Sequence, residues 1–271
     1  MPQLTLNIRA SVNTRQALSV EDLKRIYFAG LDMTKNGVPI ISDSDIEFWI
    51  QSAKDQVEQM LTIKLDKQII EENKDFYYDD WTKWGMVKST YPVVCPINLW
   101  GYIGTVRQVN YPRPWLTSRK TTDGQLYSRL IHVVPNDASS YSQAATIYTG
   151  ILPNIGWLGG GRQTPNYWTL RYVTGFERVP ADILQAIGMI AAMQILAILS
   201  DSIMGNRFGY GLSSKSISLD GLSQSVSTFA NGQAGIFGAR LKQYNDMLFN
   251  DGAGLLKRLS DYYGAFIWTS A

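Results

Sequence analysis

The chain has 271 residues, 45% hydrophobic and 18% charged, with a formal net charge of +2. That length can bury a sizeable core or hold two domains, and so mild a charge gives no general argument for nucleic-acid binding. A single cysteine, Cys95, excludes an internal disulfide framework, and with His132 as the single histidine no zinc-type ligand cluster is possible.

Met1 to Arg9 shows no basic stretch followed by an apolar run. No signal peptide is expected, and assembly in a reducing, intracellular compartment is. Leu4 to Ile8 alternates and predicts a short strand or arm. Ser19, with Asp22 behind it, opens a helix carrying Leu23, Ile26 and Tyr27 that ends near Gly30. A loop with Gly37 and Pro39 follows. Ser44-Asp-Ile-Glu47 reads as a capping box. Behind it Ile46, Trp49, Ile50, Ala53, Val57, Met60 and Leu61 form a one-sided helical stripe.

From about Asp75 to Phe176 the texture changes. Prolines, glycines and aromatics punctuate short runs rich in Val, Ile, Tyr and Trp: 84–94, 102–111, 126–134, 145–151 and 167–176. Each predicts a strand bounded by turn residues. Six of the eight tryptophans fall here (Trp81, Trp84, Trp100, Trp115, Trp157, Trp168), so a β-rich module is expected between helical segments. In its last strand Trp168, Leu170 and Tyr172 share one side and Thr169, Arg171 and Val173 the other.

Gly175 ends that strand, and Pro180 with Asp182 opens a helix. No formally charged residue lies between Asp182 and Asp201. A helix apolar on all sides must be buried on all sides, in a core, a subunit interface or a membrane. Its length reaches the membrane threshold. Gln185, Gln194, Ser200 and four alanines favour a packed interior helix instead. Ala181, Gln185, Gly188 and Ala192 form a stripe of mostly small side chains that admits another backbone. Gly188 and Ala192, with Ile187 and Ile190, are therefore the candidate subunit-packing residues.

Residues 202–238 hold seven Gly and eight Ser. Loops this long are usually functional or disordered. Within this one, Asp220-Gly221 is a strong two-residue hairpin turn. Counting outward in register, Ile217, Leu219, Leu222, Gln224 and Val226 fall on one face, with Lys215 at its open end. Serines 214, 216, 218, 223, 225 and 227 fall on the other. An isolated hairpin is marginal in water, so this one must dock, either on its own chain or on a partner. Ile217, Leu219, Asp220, Gly221, Leu222 and Val226 are candidate partner-binding residues. A last helical region starts near Ile236 with Leu241, Tyr244, Met247 and Leu248, breaks at Gly252 and Gly254, and resumes with Leu255, Leu256 and Leu259. The tail carries Tyr262, Tyr263, Phe266, Ile267 and Trp268. A terminus this aromatic reads as a docking segment, so Tyr263, Phe266 and Trp268 join the candidates.

Chemistry is sparse. His132 alternates with apolar neighbours in Leu130 to Val134, and no nucleophile turn accompanies it. Cys95, between Val94 and Pro96, reads as a small core hydrophobe. There is no phosphate-binding loop of the Gly-x-x-x-x-Gly-Lys-Ser/Thr type, and Gly159-Gly-Gly-Arg162 is only a turn signal. Glu71-Glu72 and Asp79-Asp80 read as solvated loop acids. No catalytic, cofactor or metal site is expected, and the chain reads as a scaffold rather than an enzyme. Trp100 to Phe176 nevertheless carries seven basic residues against two acids. Arg107, Arg113, Arg119 and Lys120 are candidate DNA-facing residues, with ordinary solvated charge as the simpler reading.

Taken in order, these parts resemble the head–tail connector (adaptor, or head completion) proteins of tailed bacteriophages. The resemblance rests on the helix pair Leu23 to Gly30 and Ser44 to Leu61, and on Leu170-Arg-Tyr-Val-Thr-Gly-Phe176 followed by Val179-Pro-Ala-Asp-Ile183 and an Ala-rich helix. The hairpin Ser216 to Ser225 and the closing Gly238-Ala-Arg-Leu-Lys-Gln-Tyr244 complete it. The insertion from about 75 to 165 stands outside it; small members lack this part or replace it with short strands. The resemblance implies an α+β fold: a helical bundle (two N-terminal helices, a buried apolar helix and a C-terminal helix) with a large β-rich insertion and an extended hairpin-bearing loop. The expected parts are 1–74, 75–178 and 179–271, the last containing the loop 202–238. It further implies a ring, commonly a dodecamer, in the neck of the virion, assembled in the host cytoplasm. Such a ring binds the portal protein above and a second neck or tail protein below. Double-stranded DNA passes through it without sequence-specific binding, and no membrane is involved. The rival reading is an aromatic-rich carbohydrate- or protein-binding module on a virion or cell surface.

Overall fold

A computed structural model describes residues 18–31, 33–35, 38–82, 85–120, 127–134, 163–204, 214–219, 222–227, 237–250 and 253–264. The expected strands at 4–8 and 145–151 lie outside these residues. The fold is α+β. In chain order the first elements are α1 (Val20–Tyr27), the short pair β1 (Thr34–Lys35) and β2 (Val38–Pro39), and α2 (Asp43–Leu61). Then come β3 (Gln68–Tyr77), α3 (Tyr78–Thr82), β4 (Met86–Lys88), β5 (Cys95–Ile103), β6 (Val106–Tyr111), β7 (Leu116–Lys120), β8 (Tyr127–Val133) and β9 (Gln163–Thr174). The chain continues through α4 (Ala181–Met204), β10 (Ser214–Leu219), β11 (Leu222–Ser227), α5 (Gly238–Phe249) and α6 (Leu255–Leu259).

The chain forms two compact units, Met1–Val57 with Arg178–Arg258, and Glu58–Glu177 with Leu259–Ala271. In the first unit, Ser19 caps α1 as its sequence predicts: its hydroxyl accepts the Asp22 backbone N–H at 3.0 Å. The cap of α2 sits two residues before the predicted one. The Ser42 hydroxyl and the Asp45 carboxylate each accept the other's backbone N–H at 3.3 Å, so the reciprocal box is Ser42–Asp45 rather than Ser44–Glu47. Behind it Ile46, Ile50, Ala53 and Val57 are buried, while Phe48 is exposed.

Helix α4 is the core of this unit. Ile183, Ala186, Ala191, Ala192, Ile195 and Leu196 are fully buried. Each such Ile or Leu contributes about 1.5–3 kcal/mol over an exposed one. Gly188 lets the helix accept α1 at close range. A Cβ there would lie 2.4 Å from the Tyr27 ring. Tyr27 is in turn held on three sides. Its hydroxyl donates to the Gln185 carbonyl at 3.2 Å, and its own carbonyl accepts from Arg240 at 3.2 Å and from the Tyr244 hydroxyl at 3.1 Å. The last two place donors on the C-terminal end of α1, where carbonyls lack helical partners. Burial lifts the Tyr27 hydroxyl above its ordinary range, with Tyr244 beside it adding to the effect.

The second unit is a pair of antiparallel sheets sharing one core. One has strand order β3-β9-β5-β6, the other β4-β8-β7. Trp168 of β9 is its centre, with Trp81 at 5.0 Å, Tyr167 at 4.7 Å in an edge contact, and Phe76 and Tyr111 at 6.1 Å between ring centroids. Leu99, Ile131, Val133 and Leu170 fill the space between the sheets. The predicted alternation in β9 holds for Trp168, Leu170 and Tyr172, all buried. The run 102–111, expected as one strand, is a hairpin: Gly104 takes φ +60° and turns β5 into β6. Five strands escaped the sequence reading: the short pair β1 and β2 falls where a loop was expected, most of β5 lies between two expected runs, and β3 and β7 were not expected at all. β3 begins seven residues before the expected module, and β7 follows the tight turn Arg113–Trp115.

Candidate functional site

The hairpin β10–β11 is present with the predicted register. Ser214 pairs with Ser227, Ser216 with Ser225 and Ser218 with Ser223; Lys215, Ile217 and Leu219 pair with Val226, Gln224 and Leu222. Asp220 and Gly221 lie outside the described residues. Among the described residues neither strand pairs with a third.

The residues expected to pack against another subunit have a different role. Ile187, Gly188, Ile190 and Ala192 are all buried within the chain itself. The close approach that Gly188 permits is made by Tyr27 of the same polypeptide. A small residue on a helix signals that something comes near; it does not say whether that thing is foreign. Nor is α4 covered all round: Ala197 and Ile198 are exposed, and Met193 and Gln194 half-buried. It is long and apolar enough to cross a membrane by length and composition, yet two-thirds of that window, 67%, is buried inside the chain. The packed interior helix is the reading this supports.

Tyr263, expected to bind a partner, is buried, its ring set edge-on to Phe176 at 5.9 Å and to Tyr262 at 4.8 Å. Phe266 and Trp268 lie outside the described residues. Arg107, Arg113, Arg119 and Lys120 are all exposed, Arg107 on β6 of one sheet and Arg119 and Lys120 on β7 of the other. The Arg113 guanidinium donates to the Cys95 sulfur at 3.3 Å, so Cys95 is half-buried beside a cation rather than a core hydrophobe. Lys120 stands 4.8 Å over the Tyr127 ring.

Arg129, counted among the basic residues, has a structural role. It reaches from β8 to the end of α2 and donates to the carbonyls of Leu61 and Thr62, both at 3.2 Å. The buried Glu58 takes the Leu65 N–H at 2.9 Å and the Lys64 ammonium at 2.8 Å. Together they close the helix end where Thr62 adopts φ +51°. Glu72, expected in a solvated loop, is part-buried on β3. Its carboxylate accepts the Tyr172 hydroxyl at 2.9 Å and the Thr90 N–H at 2.8 Å, and Lys74 lies 3.4 Å away. Burial, with the Glu72 charge adding to it, pushes the Tyr172 phenol up. Asp75, on the bulge of β3, accepts the Asn166 N–H at 2.9 Å and the Gln163 amide at 3.2 Å; these bonds hold its carboxyl below the usual range.

His132 is buried on β8. Among the described residues no group of three or more His, Cys, Asp or Glu is placed to hold a metal. Trp81, Trp115 and Trp168 are buried and present no ring face on which a sugar stacks; Trp100 is half-buried, and Trp84 and Trp157 lie outside the described residues. No protein-family model and no curated protein sequence matches this chain.

Proposed function

We propose that this chain is a structural subunit of a phage neck ring. It joins the portal protein to a second neck or tail protein, seals the packaged head and forms part of the DNA channel. The observation that carries the reading is the hairpin between α4 and α5. Its two strands are sorted serine against serine and pair with no third strand among the described residues. Two strands alone are marginal in water, so this element belongs to a surface that another chain completes.

In the same reading the helices of the first unit are the bundle shared by connector proteins, with the β-rich module inserted into it and the hairpin on the extended loop 202–238. The first unit draws on chain from both sides of the module, which agrees with insertion. Copies close a ring through head-to-tail contacts, as a dodecamer, in the neck of the virion after assembly in the host cytoplasm. DNA slides through such a ring, so tight phosphate binding is not wanted. The exposed Arg107, Arg113, Arg119 and Lys120 supply loose, salt-sensitive attraction at most.

The test is to image the purified protein by negative stain, alone and mixed with its portal. Rings that stack on the portal are expected. Single particles in both samples, with no portal complex in size measurement, overturn the proposal.

A further inference from the structure

We infer that successive copies of this chain join through their hairpins, the outer edge of β11 in one copy pairing with the outer edge of β10 in the next. This deepens the ring reading and rests on it.

Edge strands of soluble proteins are normally guarded by charge or proline. The other edges here follow that rule. β3 carries Glu71, Glu72, Lys74 and Asp75; β4 carries Lys88; β6 carries Arg107; β7 carries Arg119 and Lys120; and the short pair holds Lys35 and Pro39. β11 has neither charge nor proline, the only such edge strand among the described residues. β10 has Lys215 alone, near its open end. An unguarded edge on a folded chain marks a place where pairing is wanted.

The occupant follows from three observations. The α4 residues that looked ready to meet a second copy are already covered by their own chain, so copy-to-copy contact needs another element. The two hairpin strands have equal length, six residues each, so the edge offered matches the edge received. Their direction fits as well. β10 and β11 run antiparallel. Copies related by rotation about a ring axis therefore set β11 antiparallel to the next β10, and the ladder continues unchanged around the ring.

The register also says which backbone groups do the joining. Leu219 and Leu222 flank a two-residue connection and form a hydrogen-bonded pair. Alternation makes Ile217–Gln224 and Lys215–Val226 the other inward pairs. The backbone N–H and C=O of serines 214, 216 and 218 on β10, and of 223, 225 and 227 on β11, then point outward. Every outward-bonding position in the hairpin is a serine.

The test uses proline at those positions, where it removes an outward N–H and leaves the hairpin's own ladder intact. Ser225→Pro blocks the β11 edge and Ser216→Pro the β10 edge. Sedimentation velocity of the full chain should show rings for the wild type and monomers for each variant alone. An equimolar mixture of the two should give dimers and nothing larger, because one good β11 edge meets one good β10 edge. Far-UV circular dichroism checks that each variant is folded. Ser225→Lys, which places a charge on the edge, is the second variant should proline disturb folding, and it too should leave monomers. Rings from Ser225→Pro or Ser225→Lys overturn the inference and leave the neck-ring reading standing. Dimers of Ser216→Pro alone overturn it in favour of β11–β11 pairing. A wild type that stays monomeric overturns both.

Discussion

Helix α4 and the hairpin β10–β11 are both poor in charge, and they reach opposite ends. The helix meets its own chain: Tyr27 fills the gap at Gly188, and α1 and α5 are tied together across it. The hairpin pairs only with itself among the described residues. Low charge alone therefore does not identify an interface. What separates the two is that the close approach at the helix is filled from within the polypeptide, while the hairpin strands pair with no third strand among the described residues.

That contrast breaks most visibly under the same substitution made in both places. Leu196→Ala, at a fully buried position of α4, should cost about 2–5 kcal/mol in urea unfolding. Gly188→Ala forces a methyl into the Tyr27 ring and should cost about 1–3 kcal/mol. A neutral result there would mean that α1 is not seated as described. Tyr244→Phe removes one bond to the Tyr27 carbonyl and should cost about 1 kcal/mol by the same measurement. Leu222→Ala, in the hairpin, should change the stability of the dilute, unassembled chain by no more than about 0.5 kcal/mol. A loss comparable to that of Leu196→Ala would show the hairpin packed on its own chain.

The smallest effect concerns pH. The folded Asp75 carboxyl titrates lower than in the unfolded chain, because the Asn166 N–H and the Gln163 amide bond its ionised form. In that window the unfolded chain binds more protons, so stability rises with pH. The contribution is complete above the unfolded value, about 3.9, and is lost as pH falls through the folded one. Urea titrations in that acid range should show a shallower pH dependence for Asp75→Asn than for the wild type. Equal slopes would mean the bulge bonds do not persist in solution.

What could be read from the sequence was local. The Ser19 cap, the stripe from Ile46 to Val57, the alternation through Trp168 and the hairpin register each depend on residues within one or two turns or one short ladder. The helix cap at Ser42 was missed by two positions because two serine–acid pairs overlap there. β3 was not foreseen because its charges, which suit an edge strand, resemble a loop. The longest-range features left no signal in any window: Tyr27 and Gln185 are 158 residues apart, Glu72 and Tyr172 are 100, and Arg129 and Leu61 are 68. The same blindness turned Gly188 and Ala192 into expected subunit contacts, since a small-residue stripe looks the same whichever chain fills it.

The sharpest test of the contrast is amide hydrogen exchange, followed on α4 and on the hairpin serines at a dilute and a concentrated protein solution. Ile187 to Leu196 should be protected equally at both, while serines 216, 218, 223 and 225 should gain protection only in the concentrated sample, where copies meet. Serine amides already protected at high dilution, or α4 amides that become protected only on assembly, would contradict it.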